Sequence, residues 1–138
     1  VTVGALYGGL YSLNVPKLVG ASNSDDGTGD WGKKAAFVFD VHLNPTEVAA
    51  QYSTFSIVDS WGRTYNPASA TLGADGKTVN LDFVNYNNAH GQCTAKYTPG
   101  TITSMAGITL TETSCVFTPT GLVPSEIPVP EVSTIQNV

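Results

Sequence analysis

Residues 33–43 read Lys33-Lys34-Ala35-Ala36-Phe37-Val38-Phe39-Asp40-Val41-His42-Leu43. Ala35, Phe37, Phe39, Val41 and Leu43 fall on one side of an extended chain, and Ala36, Val38, Asp40 and His42 on the other. That period of two belongs to a strand with one buried face, not to a helix. Residues 77–83 repeat it, with Val79, Leu81 and Phe83 inward and Thr78, Asn80 and Asp82 outward. The turn signal Gly73-Ala74-Asp75-Gly76 precedes them. Further strands are read at Ser53–Asp59, at Thr64–Tyr65 after the turn Ser60-Trp61-Gly62, at Gln92–Thr98 and at Leu110–Thr118. The last two end in Tyr97-Thr98-Pro99 and Phe117-Thr118-Pro119, where proline removes a ladder donor. One segment looks helical. Asn44-Pro45-Thr46-Glu47 offers an N-cap, a proline at the first helical position and a glutamate two residues on, and Val48 to Gln51 completes a turn or two. Short strands, Gly/Pro turns and one helical turn predict an all-β antiparallel sandwich.

Composition narrows the function. The 138 residues suffice for one domain with extensions. Charged residues are 12% of the chain, about half the globular norm of roughly 25%, while hydrophobic residues are 41%, too many for a disordered polyanion. A net charge of −5 argues against nucleic acid, whose phosphates need a basic patch, and against a polybasic membrane anchor. No apolar run approaches the ~20 residues of a membrane helix. No cleavable leader is visible, so an exported protein would stand here in its mature form. Cys93 and Cys115 are too few for a zinc site and suit an oxidising compartment. Cys93 shares a face with Ala95 and Tyr97, and Cys115 with Phe117. On neighbouring antiparallel strands they would form a structural disulfide, closing a loop of roughly 22 residues worth about 3 kcal/mol. The alternative is two buried free thiols.

Residues 1–16 carry no charge. Val1, Val3, Ala5, Tyr7, Tyr11 and Leu13 alternate along an extended stretch that must pair with some sheet edge or aggregate. Residues 121–138 contain Pro124, Pro128 and Pro130 and then the strand-like Val132-Ser133-Thr134-Ile135. Leu13-Asn14-Val15-Pro16-Lys17-Leu18-Val19 is echoed by Ile127-Pro128-Val129-Pro130-Glu131-Val132-Ser133. The expected organisation is an apolar N-terminal arm at 1–14, a sandwich at 15–120 and a Pro-rich C-terminal extension at 121–138.

The order of these pieces resembles the Ig-like repeats of prokaryotic cell-surface and S-layer proteins. The matching pieces are Lys34-Ala35-Ala36-Phe37-Val38-Phe39-Asp40, Asn44-Pro45 with its short helix, Phe55-Ser56-Ile57-Val58-Asp59, Gly76-Lys77-Thr78-Val79-Asn80-Leu81, Tyr97-Thr98-Pro99-Gly100 and Phe117-Thr118-Pro119. The likeness runs from about Val15 to Thr120. It implies an Ig-like Greek-key sandwich of about seven strands in a non-catalytic, architectural role. The cysteine pair and the apolar arm lie outside that pattern.

Catalytic constellations are sparse. His42 alternates outward, and His90 lies in a polar loop, so each reads as a surface histidine. No nucleophile elbow, paired carboxylates or phosphate loop is present. Asn23-Ser24-Asp25-Asp26-Gly27-Thr28-Gly29-Asp30 could offer calcium the oxygens of Asp25, Asp26 and Asp30; otherwise it is a polar loop of ordinary turn residues. Trp61 and Trp31 are candidates for a ligand or subunit contact, Trp61 because it sits at a turn. Lys33, Lys34 and Lys96 are the strand lysines that an isopeptide crosslink would need. The expectation is a secreted, non-enzymatic structural subunit at the cell surface that joins copies of itself head to tail by β-strand addition, building a filament or surface layer. Residues 1–13 are the favoured donor, and 132–138 the less favoured one. The alternative is a carbohydrate- or protein-binding module of an adhesin.

Overall fold

Alternation in residues 34–39 is realised as burial: Ala35, Phe37 and Phe39 are inside while Lys34 is exposed. The computed structural model describes residues 11–86 and 88–122. Among these it holds eight strands, where the sequence predicts about seven: β1 (Leu18–Ser24), β2 (Lys34–Phe39), β3 (Phe55–Val58), β4 (Thr64–Tyr65), β5 (Pro67–Leu72), β6 (Thr78–Phe83), β7 (Cys93–Tyr97) and β8 (Thr113–Phe117). The short helix α1 (Pro45–Ala50) and a 3-10 turn (Tyr52–Thr54) lie between β2 and β3. Asn44 caps α1 as expected, its Oδ1 accepting from the amides of Thr46 at 3.0 Å and Glu47 at 3.2 Å.

Two four-stranded sheets form, in the orders β1-β2-β6-β5 and β4-β3-β7-β8, and every neighbouring pair is antiparallel. The chain changes sheet between β2 and β3, β4 and β5, and β6 and β7. This is the immunoglobulin order, four strands facing three, with short β4 added beside β3. The predicted all-β sandwich is therefore the observed fold. β5 has little strand signal, since Pro67-Ala68-Ser69-Ala70-Thr71-Leu72 is made of small residues. It is held by pairing with β6, a tertiary effect.

Inward residues of both sheets make one core. Within it Phe55 of β3 meets Phe37 and Phe39 of the facing sheet, ring centroids 6.1 and 6.3 Å apart, and Tyr97 of its neighbour β7 at 5.5 Å. Register defines two poles. Leu18, Phe39, Tyr97 and Thr113 end their strands at the lower pole, with α1 and the 98–110 loop; Ser24, Lys34, Val58 and Phe117 reach the upper pole. No helix among the described residues is long and apolar enough to cross a membrane.

The expected disulfide is not formed, and Cys93 and Cys115 are free thiols. Both face inward on adjacent antiparallel strands, as predicted. However, Cys93 lies opposite Phe117 and Cys115 opposite Ala95, so the sulfurs are offset by two residues along the ladder. A bridge needs Cα atoms within about 7 Å, and diagonal neighbours sit at roughly 7–8 Å.

Candidate functional site

The upper pole holds a polar network whose hub is Asp59, the residue after β3. Asp59 is buried. Its Oδ1 accepts from the amides of Trp61 at 3.0 Å and Arg63 at 2.9 Å. Its Oδ2 accepts from Arg63 Nε at 2.9 Å, the His90 amide at 3.1 Å and Tyr65 Oη at 3.3 Å. Burial alone would raise the Asp59 pKa, but the Arg63 and His90 amides, the Arg63 guanidinium and the Trp61 amide together hold it below the usual carboxylate range. Burial, reinforced by the Asp59 charge, pushes Tyr65 up.

Trp61 stands on this base. Its ring stacks on His90 at 4.0 Å with an interplanar angle of 14°, and the Arg63 guanidinium lies 4.8 Å from its centroid. The chain's own cation and imidazole engage the ring, which stays 37% exposed. Trp31 is likewise engaged within the fold. Gly121 packs so closely that a Cβ there would meet the indole at 2.5 Å, and the Trp31 carbonyl accepts from Asn23 Nδ2 at 3.0 Å. Ser60 Oγ lies 3.2 Å from His90 Nδ1 but donates to the His90 carbonyl at 2.6 Å. Asp59 bonds the His90 main chain, not its ring. The three residues are thus arranged as a turn lock, without the base–orienter geometry of a catalytic triad.

The acidic loop turns its carboxylates onto its own backbone. Asp25 Oδ1 accepts from Gly27 and Gly29 at 2.7 and 2.8 Å, Asp26 Oδ1 from the Thr28 amide and hydroxyl at 2.8 and 2.5 Å, and Asp30 Oδ1 from Gly32 at 2.8 Å. Among the described residues no three acidic, histidine or cysteine side chains converge as metal ligands, so the expected calcium grouping of Asp25, Asp26 and Asp30 is not assembled. Lys34 pairs with Asp82 across β2 and β6, both side chains about half exposed, which is not the buried setting that an isopeptide bond requires.

Of the expected assembly residues, Val1, Val3, Ala5 and Tyr7 lie outside the described residues, as does the 132–138 segment. Tyr11 is described: its ring meets His42 edge-on at 5.3 Å, at the lower pole. It lines a hollow with Leu43, Leu72 and Met105. Leu13 is 70% exposed. The chain therefore reaches the sandwich at the lower pole and leaves it at the upper, where Asn23 grips Thr120 through both amide atoms, at 2.7 and 2.9 Å.

The roles of Asp59, Arg63 and Asn23 are not apparent from sequence. Asp59-Ser60-Trp61-Gly62 carries an aspartate-led turn signal, but the partners His90 and Tyr65 come from elsewhere in the chain.

No protein-family profile matches the sequence, and no curated protein matches it. Solved structures do. The N-terminal part of the bacterial S-layer protein SbsC aligns over 83% of this chain at a TM-score of 0.60 and 18% identity, and the longer SbsC fragment 31–844 over 83% at 0.60 and 17%. SbsC domains 1–6 align over 78% at 0.60 and 16%. The chain spans 25% of the first of these and 14% of the other two. At this identity the likeness is one of fold.

Proposed function

We propose that this chain is a structural module of an extracellular surface, and that it joins copies of itself by β-strand addition into a filament or layer. The observation that carries the reading is the stretch 1–16, uncharged and alternating as far as Leu13, which lies ahead of a sandwich whose described residues already form one core. Water satisfies the amides of such a segment but not its apolar side chains, which are stabilised when the segment joins a sheet edge with an apolar face beside it. The fold supports the same reading, because SbsC, described as an S-layer protein, contains domains of this shape. A contact in which one copy's strand completes another's sheet is head-to-tail, and it propagates into a filament where its rotation does not close a ring.

The test is deletion of residues 1–13, with wild type and truncated protein imaged by negative-stain electron microscopy at equal concentration. Ordered polymers from the full chain and single particles from the truncated one are expected. Unchanged polymers from the truncated chain would remove residues 1–13 as the donor.

A further inference from the structure

We propose that the lower-pole hollow beside His42 is the docking site for residues 5–10 of the same chain, so that an isolated subunit holds part of its own uncharged stretch and releases it before strand addition. The docking itself does not rest on the assembly reading above. The hollow measures about 310 Å³, the small end of the roughly 300–1,000 Å³ of binding pockets. Three pieces of chain wall it: the segment ahead of α1, the β5–β6 turn at 73–76 and the loop that carries Met105. Main-chain bonds tie these walls together. The Met105 amide donates to the His42 carbonyl and the Leu43 amide to the Gly76 carbonyl, each at 2.9 Å. The His42 ring is pressed onto Gly76, where a Cβ would meet its Cδ2 at 2.6 Å. The site is therefore preformed, and it is lined by apolar surface: Leu43 is buried, Leu72 half-buried and Met105 42% exposed.

The chain itself delivers the occupant. Tyr11 lines the hollow with its ring edge-on to His42 at 5.3 Å, and Leu10 is bonded directly to it. Residues 5–10 read Ala5-Leu6-Tyr7-Gly8-Gly9-Leu10. They bring Leu6, Tyr7 and Leu10, no charge, and a glycine pair whose backbone freedom lets the chain bend back into the hollow. Six extended residues reach about 20 Å, enough to cross it. The charge balance suits an uncharged guest. The Asp75 carboxylate on the wall already accepts from the Lys77 and Thr78 amides at 2.9 Å and from the Thr78 hydroxyl at 2.7 Å, so covering it strands no ion in search of a partner. The tether decides between this chain and a second copy. A segment joined to Tyr11 is present at an effective concentration on the order of millimolar, which another copy's segment does not match in dilute solution.

Met105 is the one methionine of the sequence, so a methionine probe reports on the hollow alone. In the full chain, isotope-labelled at the methionine methyl and held at a concentration where sedimentation shows single subunits, nuclear Overhauser contacts from Met105 to residues 5–10 are expected. Hydrogen peroxide should oxidise Met105 about fivefold more slowly than in a full-length variant carrying Leu6→Ser, Tyr7→Ser and Leu10→Ser. Absence of the contacts in the unaltered chain would overturn the docking whether or not the variant folds. Equal oxidation rates in the two chains, with the variant shown to be folded by circular dichroism, would also overturn it. Contacts that arise only as concentration rises would assign the hollow to a second copy and overturn the same-chain occupant. Contacts present in a chain that assembles at no concentration would uphold the docking and remove only the assembly reading.

Discussion

Asp59 shows how one buried charge is made tolerable. Five donors surround its carboxylate, one of them a guanidinium, so desolvation is offset by bonds that favour the ionised form. Its folded pKa is lowered, as are those of Asp26, through the Thr28 hydroxyl and amide, and Asp75, through the Thr78 hydroxyl and the 77 and 78 amides, to about 2. A lowered folded pKa contributes stability that is present above the ordinary carboxylate value, near 4, and lost as pH falls through the folded value. The fold should therefore weaken progressively from about pH 4 downward. Asp59→Ala should cost about 3 kcal/mol at neutral pH, because it strands the 61, 63 and 90 amides and the Arg63 charge, and it should make the acid limb shallower. Urea unfolding of both proteins at pH 7 and at pH 3 measures this; equal stability at pH 7 would contradict the hub role.

At the scale of elements, the cysteines measure the β7–β8 register. Burial, with Asp59 adding to it, pushes the Cys93 thiol up to about 11, and burial raises Cys115. Without reductant, unfolded protein should release two thiols to a disulfide reagent, while folded protein at pH 8 should react slowly, Cys93 slowest. An unfolded chain with no titratable thiol would mean a bridge and a ladder shifted by two residues. The same pair shows where sequence reading stops. Alternation tells which face a residue takes, so Cys93 and Cys115 were correctly placed inward; it does not tell the register, which sets the distance between them. β2 and β6 were legible because large apolar residues (Phe37 and Phe39; Val79, Leu81 and Phe83) recur at every second position, and β7 because polar Thr94 and Lys96 alternate with inward Cys93, Ala95 and Tyr97. β5 was not, because small residues carry no such contrast. The acidic loop was legible as a turn, and its aspartates bond their own backbone amides as turn aspartates do. The upper-pole hub was hidden because Asp59 gathers partners from β4 and from the loop before β7.

For the whole molecule, the chain meets the sandwich at one pole and leaves it at the other, with a leading stretch that has no charge to keep it in water. Sedimentation velocity of the purified protein over a hundredfold concentration range shows whether copies join. A concentration-dependent ladder of species growing from the single subunit is expected. A single sedimenting species with the coefficient of one subunit at every concentration would contradict it.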